Sequence, residues 1–246
     1  MICNAVPIDE WSLSGFLGRF RGEARATPYV GKIIGSDRAD EVMALARRVT
    51  GQIEDKTTFR PLGREELETF FGDRGRVLGI LAEGRLIAYG LLAFPGLSGD
   101  NIGRLLALPE KSLQAVAQLE SSAVDPDWRG NGLQDLVIRH RMRFALDMEF
   151  SQAMGHVSPN NPISLVNVLR CGLGIRALAE RRPGYPRFIC HCDQSRPVGP
   201  YLDHQSRTLE DLGAIAELLR EGFHGIAFDP TTGQLHLAQP DGAAGL

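Results

Sequence analysis

The chain has 246 residues, 43% of them hydrophobic and 23% charged, with a formal net charge of −3. That balance fits a globular chain with a sizeable core, in one large domain or one domain with an appendage. It argues against a dedicated nucleic-acid or anionic-membrane binder, and no apolar run approaches the ~18 residues of a membrane span. The first ten residues are acidic and lack the pattern of a signal peptide, and four cysteines make no disulfide framework, so a cytoplasmic setting is expected.

Residues 1–35 are weakly patterned; Trp11, Phe16 and Phe20 with Arg19, Arg21 and Arg25 read as a short helix or an arm. Over Asp37–Thr50, Val42, Leu45, Ala46 and Val49 repeat at helical spacing, with Gly51 as a stop. Leu62–Phe71 reads as a second helix opening at Pro61. Val77–Ala82 and Leu86–Phe94 read as strands around Glu83-Gly84, a hairpin signal. A Gly/Ser/Asp/Asn loop over Pro95–Gly103 precedes a strand at Ala115–Val124.

That strand runs into Val124-Asp-Pro-Asp-Trp-Arg-Gly-Asn-Gly-Leu-Gln134, and an amphipathic helix, Leu133–Met148, runs out of it. Its stripe is Leu133, Val137, His140, Phe144 and Met148, which makes His140 a core histidine. Gly130 and Gly132 permit φ values that other residues resist and remove side chains where a bound group would approach. The first N–H groups of a helix lack intrahelical partners, and its dipole attracts anions there. The turn therefore reads as a phosphate-binding turn.

Ala153–Val157 reads as a strand, Ile163–Cys171 as a helix stopped by Gly172, and Ile175–Glu180 and Arg187–Cys192 as two more strands. In the last, Cys190 and Cys192 point to one face and His191 to the other, which is no metal site. Pro197–Pro200 reads as a linker, Leu209–Leu219 as a helix capped by Thr208 or Asp211, and Gly225–Asp229 with Gln234–Ala238 as a hairpin.

This order, with a glycine turn after the third strand, resembles the GNAT superfamily of N-acetyltransferases. Val124-x-Pro126 followed by Arg129-Gly130-Asn131-Gly132-Leu133-Gln134 is similar to the family's Q/R-x-x-G-x-G/A signature, with Gln134 replacing the last small residue. Val157-x-Pro159-x-Asn161-x-x-Ser164, ending at Gly172-Leu173, resembles its second block, with Leu173 for the usual Phe. The resemblance covers roughly residues 37–192 and implies an α/β fold. The expected architecture is a GNAT-like mixed, mostly antiparallel sheet with helices on both faces, plus a C-terminal α-β-β extension. The expected divisions are an arm at 1–35, an acetyltransferase domain at 36–196 and the extension at 197–246.

The resemblance further implies acetyl transfer from acetyl-CoA, without a metal, to a primary amine of a small molecule or peptide. Val124 and residues 129–134 would hold the diphosphate, and Asn161 and Ser164 would lie beside the pantetheine arm, with helix capping as the competing role of Asn161. Glu120 shares a strand face with Gln118 and Ser122 and is the candidate general base; an exposed or paired strand carboxylate is the alternative. Many relatives carry a Tyr seven residues after the block's Asn as general acid; Val168 stands there, and Tyr185 is the substitute candidate. Other acyl-CoA chemistry, or a non-catalytic acyl-CoA sensor, stays open on that departure. The extension could cover the acceptor site or form a homodimer contact.

Overall fold

The computed structural model describes residues 11–53, 55, 58, 62–180, 182–196 and 199–241. They form two compact units, one within residues 11–95 and 117–150, the other within 96–116 and 151–241. Pro61, expected to open the second helix, lies outside the described residues.

In the first unit, β1 (Ser12–Phe20), β2 (Glu23–Ile34), β3 (Gly75–Ala82), β4 (Arg85–Ala93) and β5 (Val116–Val124) pair antiparallel in that order. Glu83 and Gly84 both take positive φ, 51° and 75°, as the hairpin signal between β3 and β4 requires. The expectation of a short helix within 1–35 is corrected for the described residues: 12–34 are a hairpin. Its turn is Arg21-Gly22, with φ of 50° and 84°, and β2 pairs along β3 from Tyr29↔Ala82 to Ile34↔Val77. Most β1 and β2 side chains are exposed or half-buried, so no strong apolar alternation marks them.

The apolar stripe of α1 (Ala39–Thr50) and Leu67 of α2 (Arg64–Glu68) cover one face of this sheet, against Val77, Tyr89, Leu91 and Ala123. Helix α4 (Leu133–Asp147) lies close to Gly90 of β4. A Cβ at Gly90 would come within 2.5 Å of the Val137 side chain and 2.7 Å of Arg141, so the glycine is what lets the helix approach. His140 is half-buried on the α4 stripe, edge-on to Trp11, and burial pushes its imidazole down to about 4.

In the second unit, strands β6 (Gln152–Val157), β8 (Pro186–Asp193), β7 (Gly174–Glu180), β10 (His224–Asp229), β11 (Gln234–Pro240) and β9 (Tyr201–Thr208) follow one another across the sheet, every pair antiparallel. Helices α5 (Pro162–Arg170) and α6 (Leu212–Arg220) pack against it. Ile102, Val116, Met154 and Ile189 form a buried cluster. Two elements were not foreseen: α3 (Glu110–Gln114), one short turn of helix, and β9, whose sequence YLDHQSRT is polar and largely exposed. The final helix starts at Leu212, later than Leu209, because the Asp211 carboxylate accepts from the Ala214 N–H and caps it there. Among the described residues, no helix is long and apolar enough to cross a membrane.

Candidate functional site

The approach to the glycine turn is a strand that breaks its own register. Across β4 and β5, Gly90 pairs with Ser122 but Leu92 pairs with Leu119, so β5 carries one extra residue at Glu120–Ser121. Directly paired residues share a face. Gln118 and Ala123 therefore lie on the α1 side with Ala93 and Tyr89, whereas Ser122 lies with Gly90 on the α4 side. The expected alignment of Gln118, Glu120 and Ser122 is corrected: the bulge leaves Glu120 with Gln118, whose carboxamide donates to its carboxylate, and turns Ser122 to the other face.

A bulge removes ladder partners from backbone carbonyls, and here one side chain replaces them. Arg141 of α4 is 3% exposed; its Nη1 donates to the Leu91 carbonyl at 2.7 Å and the Glu120 carbonyl at 3.0 Å. Its Nε donates to the Val137 carbonyl at 3.3 Å. A buried guanidinium is tolerable only when it finds acceptors, and one of the three carbonyls it meets is that of Glu120, the candidate base. Sequence reasoning missed Arg141. Its signal was a charged residue four positions after Val137 on the apolar stripe, together with Gly90 in an otherwise apolar strand. Tyr89 was missed as well: it is fully buried beside Ala123, and desolvation pushes its phenol up to about 12.

After Val124 the chain makes a 3₁₀ turn at Pro126–Trp128 and enters the glycine turn. Arg48 of α1 holds the Asp125 carboxylate at 2.8 Å and that of Asp127 at 3.1 Å, and Asp125 accepts from the Asp127 N–H. The hydrogen bond from Arg48 keeps the Asp127 carboxyl below its usual range. The β1 hairpin buttresses the same turn. Phe20 packs on Trp128 with ring centroids 4.9 Å apart, and the Arg21 N–H donates to the Asp127 carbonyl.

Asn131 accepts from the Gly18 and Arg19 N–H groups at 2.9 and 3.0 Å and donates to the Arg19 and Trp128 carbonyls. Its carboxamide thus clamps β1 to the turn, so what Asn131 can offer a ligand is its backbone.

Gly130 and Gly132 adopt φ of +81° and +67°, and both are exposed, as is Arg129. A Cβ at Gly132 would meet nothing within 4 Å. Gly132 is the N-cap of α4, and no side chain caps that helix. A 15-residue helix with an exposed, uncapped start presents backbone donors and the positive end of its dipole to solvent. Leu133 is buried beneath it and Gln134 is half-buried in the first turn. The geometry fits a bound diphosphate.

The second block lies in the second unit. Asn161 is the N-cap of α5, its side-chain oxygen accepting from the Ser164 N–H at 3.0 Å, with Pro162 at the first helical position. Val168 is buried in α5, and Tyr185 is partly exposed in the turn between β7 and β8. Cys190 is fully buried and pushed up to about 12 by desolvation, and His191 bonds to Gln152 at 2.8 Å. Among the described residues, no three metal-binding side chains cluster.

No family model matches this sequence, and no curated protein matches it. Solved structures do match in shape. The acetyltransferase of the GNAT family from Streptococcus pneumoniae superposes with a TM-score of 0.51 at 14% identity, over 67% of this chain and 98% of that one. The chain has the GNAT fold. A putative acetyltransferase from Acinetobacter baylyi superposes with a TM-score of 0.54 at 14% identity, over 71% and 96% of the two chains. The ribosomal-protein-S18-alanine N-acetyltransferase from Escherichia coli gives 0.52 at 13% identity, over 69% and 96%. The GNAT structures are thus covered almost whole, while close to a third of this chain lies outside each superposition.

Proposed function

We propose that the chain transfers an acetyl group from acetyl-CoA to the amine of a small molecule or peptide. The observation that carries this reading is the uncapped, glycine-bearing start of α4, set directly after a bulged strand that holds Glu120. On this fold, the backbone N–H groups of residues 129–134 bind the diphosphate, and the end of β5 near Val124 orients the thioester. Asn161 and Ser164 are the proposed neighbours of the pantetheine arm. An amine near pKa 10 is mostly protonated at neutral pH; Glu120, directly or through water, takes its proton before the nitrogen attacks the thioester carbonyl. The new C–N bond forms as the C–S bond breaks, and the departing thiolate takes a proton from Tyr185 or from water.

The aliphatic Val168 supports a second reading, a protein that binds acyl-CoA without turning it over. One experiment separates the two. Acetyl-CoA should raise the melting temperature, and free thiol should be released across a panel of amines. Stabilisation without thiol release selects the sensor, and no melting shift at millimolar acetyl-CoA rejects both.

A further inference from the structure

A second charged cluster stands apart from everything used above. In the second unit, Ile175 pairs with Cys190 and Ala177 with Ile189, so Arg176 is the extra residue of a bulge in β7. Its Nη1 lies 3.4 Å from His191 Nδ1 on β8, and the far nitrogen of that ring bonds to the Gln152 side-chain oxygen of β6 at 2.8 Å. Gln152 in turn donates to Asp193. His191 is thereby fixed as a neutral imidazole, donating through Nε2 and accepting through Nδ1, and it holds Arg176 from one side.

On the other side, the pairing of Gly225 with Ile175 sets His224 of β10 abreast of Arg176, and Tyr201 of β9 lies edge-on to His224 with ring centroids 6.0 Å apart. Arg176, His224 and Tyr201 are half-buried. Among the described residues, no carboxylate lies within ion-pair reach of Arg176. A guanidinium has five N–H donors in a fixed fork, and desolvating it without an anion is unfavourable. Burial lowers its affinity for its own proton, and burial together with the Arg176 charge pushes the His224 imidazole down to about 4. The cluster is positive, partly open and without a counter-ion.

We propose that Arg176, His224 and Tyr201 form an oxyanion site that takes a carboxylate or phosphate group of a small ligand. The Arg176 fork supplies parallel donors, the Tyr201 hydroxyl one more, and His224 becomes a further donor on taking a proton as the anion arrives. The site lies wholly in the second unit and is independent of the acyl-transfer reading.

The test compares wild type with Arg176→Met and Arg176→Lys in inorganic phosphate, acetate and chloride at matched ionic strength. Phosphate or acetate should raise the wild-type melting temperature by several degrees more than it raises that of Arg176→Met, which subtracts the general salting effect. Arg176→Lys should weaken the apparent affinity about tenfold, since a point charge replaces the fork. In the absence of anion, Arg176→Met should melt no lower than wild type, because it removes a half-buried cation that has no carboxylate partner among the described residues. The His224 ring proton, followed by NMR, should titrate about one unit or more higher in the effective anion than in chloride. Arg176 and His191 act directly on that titration, Tyr201 lies edge-on to the ring, and Asp193 and Cys192 act through His191 and Tyr201. A response to phosphate alone assigns a phosphate group, and a response to both a general oxyanion site. Equal shifts in wild type and Arg176→Met, or an unmoved His224 titration in both anions, overturn the proposal; should Arg176→Met not fold, Arg176→Lys and the wild-type titration decide.

Discussion

The starts of α4 and α5 lie within the two sequence blocks of the resemblance, and they are finished in opposite ways. At α5, the Asn161 side chain satisfies the Ser164 N–H and a proline occupies the first turn. At α4, the N-cap is a glycine with φ of +67°, no side chain caps the helix, and the carboxamide of the preceding Asn131 is turned away to clamp β1. The two helix starts thus differ in how they are capped: no side chain caps α4 at Gly132, whereas at α5 the Asn161 side chain takes a backbone N–H of the first turn. The difference supports the proposed phosphate-binding role of α4 and gives Asn161 a capping role that holds with or without ligand.

The largest expected effect concerns the strand that feeds α4. Glu120→Gln keeps the shape and removes the proton acceptor, so kcat/KM near neutral pH should fall ~10²–10⁴-fold. The loss should shrink at high pH, where free amine is abundant, and CoA affinity should hardly change. Wild-type turnover at pH 7 would leave Glu120 as a paired strand carboxylate and move the base elsewhere.

Next comes the bulge that holds Glu120. Arg141→Met leaves the Leu91 and Glu120 carbonyls without their donor, each costing about 1–3 kcal/mol in a denaturant titration. Gly90→Ala forces a methyl into the Val137 and Arg141 side chains and should cost about 1–3 kcal/mol. If either variant unfolds like wild type, α4 does not pack on β4 as described.

Asn161→Ala sharpens the comparison of the two helix starts. It should cost about 1 kcal/mol of stability by loss of the cap, and it should lower CoA affinity far less than a change at Gly132 does. A large affinity loss with unchanged stability would instead make Asn161 a ligand contact first and a cap second.

A further effect is spread over pH. Burial first, and for His191 and His224 the Arg176 charge next, holds the imidazoles of His140, His191 and His224 down at about 4 in the folded chain. The unfolded chain protonates them near the ordinary value of about 6.5, so it binds more protons between those limits. Stability is full above roughly 6.5 and should decline as pH drops toward about 4, by several degrees in melting temperature. A melting temperature flat over that window would mean that these imidazoles are solvated.

What the sequence disclosed follows from what is local. The β3–β4 hairpin announces itself through Glu83-Gly84, α4 through its stripe after a glycine turn, and the β10–β11 hairpin through its central turn. The β1–β2 hairpin and β9 escaped because their side chains are largely exposed; they are held by backbone pairing with β3 and β11. The bulge at Glu120–Ser121 was illegible for a related reason: register is a property of two strands together, and one extra residue reverses the face of Ser122. The glycine turn could be read as an open helix start, but the hairpin that buttresses it is more than a hundred residues away in sequence, with Asn131 reaching back to Gly18.

The central claim is that the start of α4 binds the diphosphate of CoA, and calorimetric titration of CoA into wild type and Gly132→Asp tests it most directly. A Cβ at Gly132 meets nothing within 4 Å, although its φ strains any side chain, so circular dichroism must first show that the variant is folded. The added carboxylate then stands at the positive end of the α4 dipole where the diphosphate would lie. The account predicts measurable binding to wild type and a loss of about a hundredfold or more in the folded variant; equal affinity in the two proteins would contradict it.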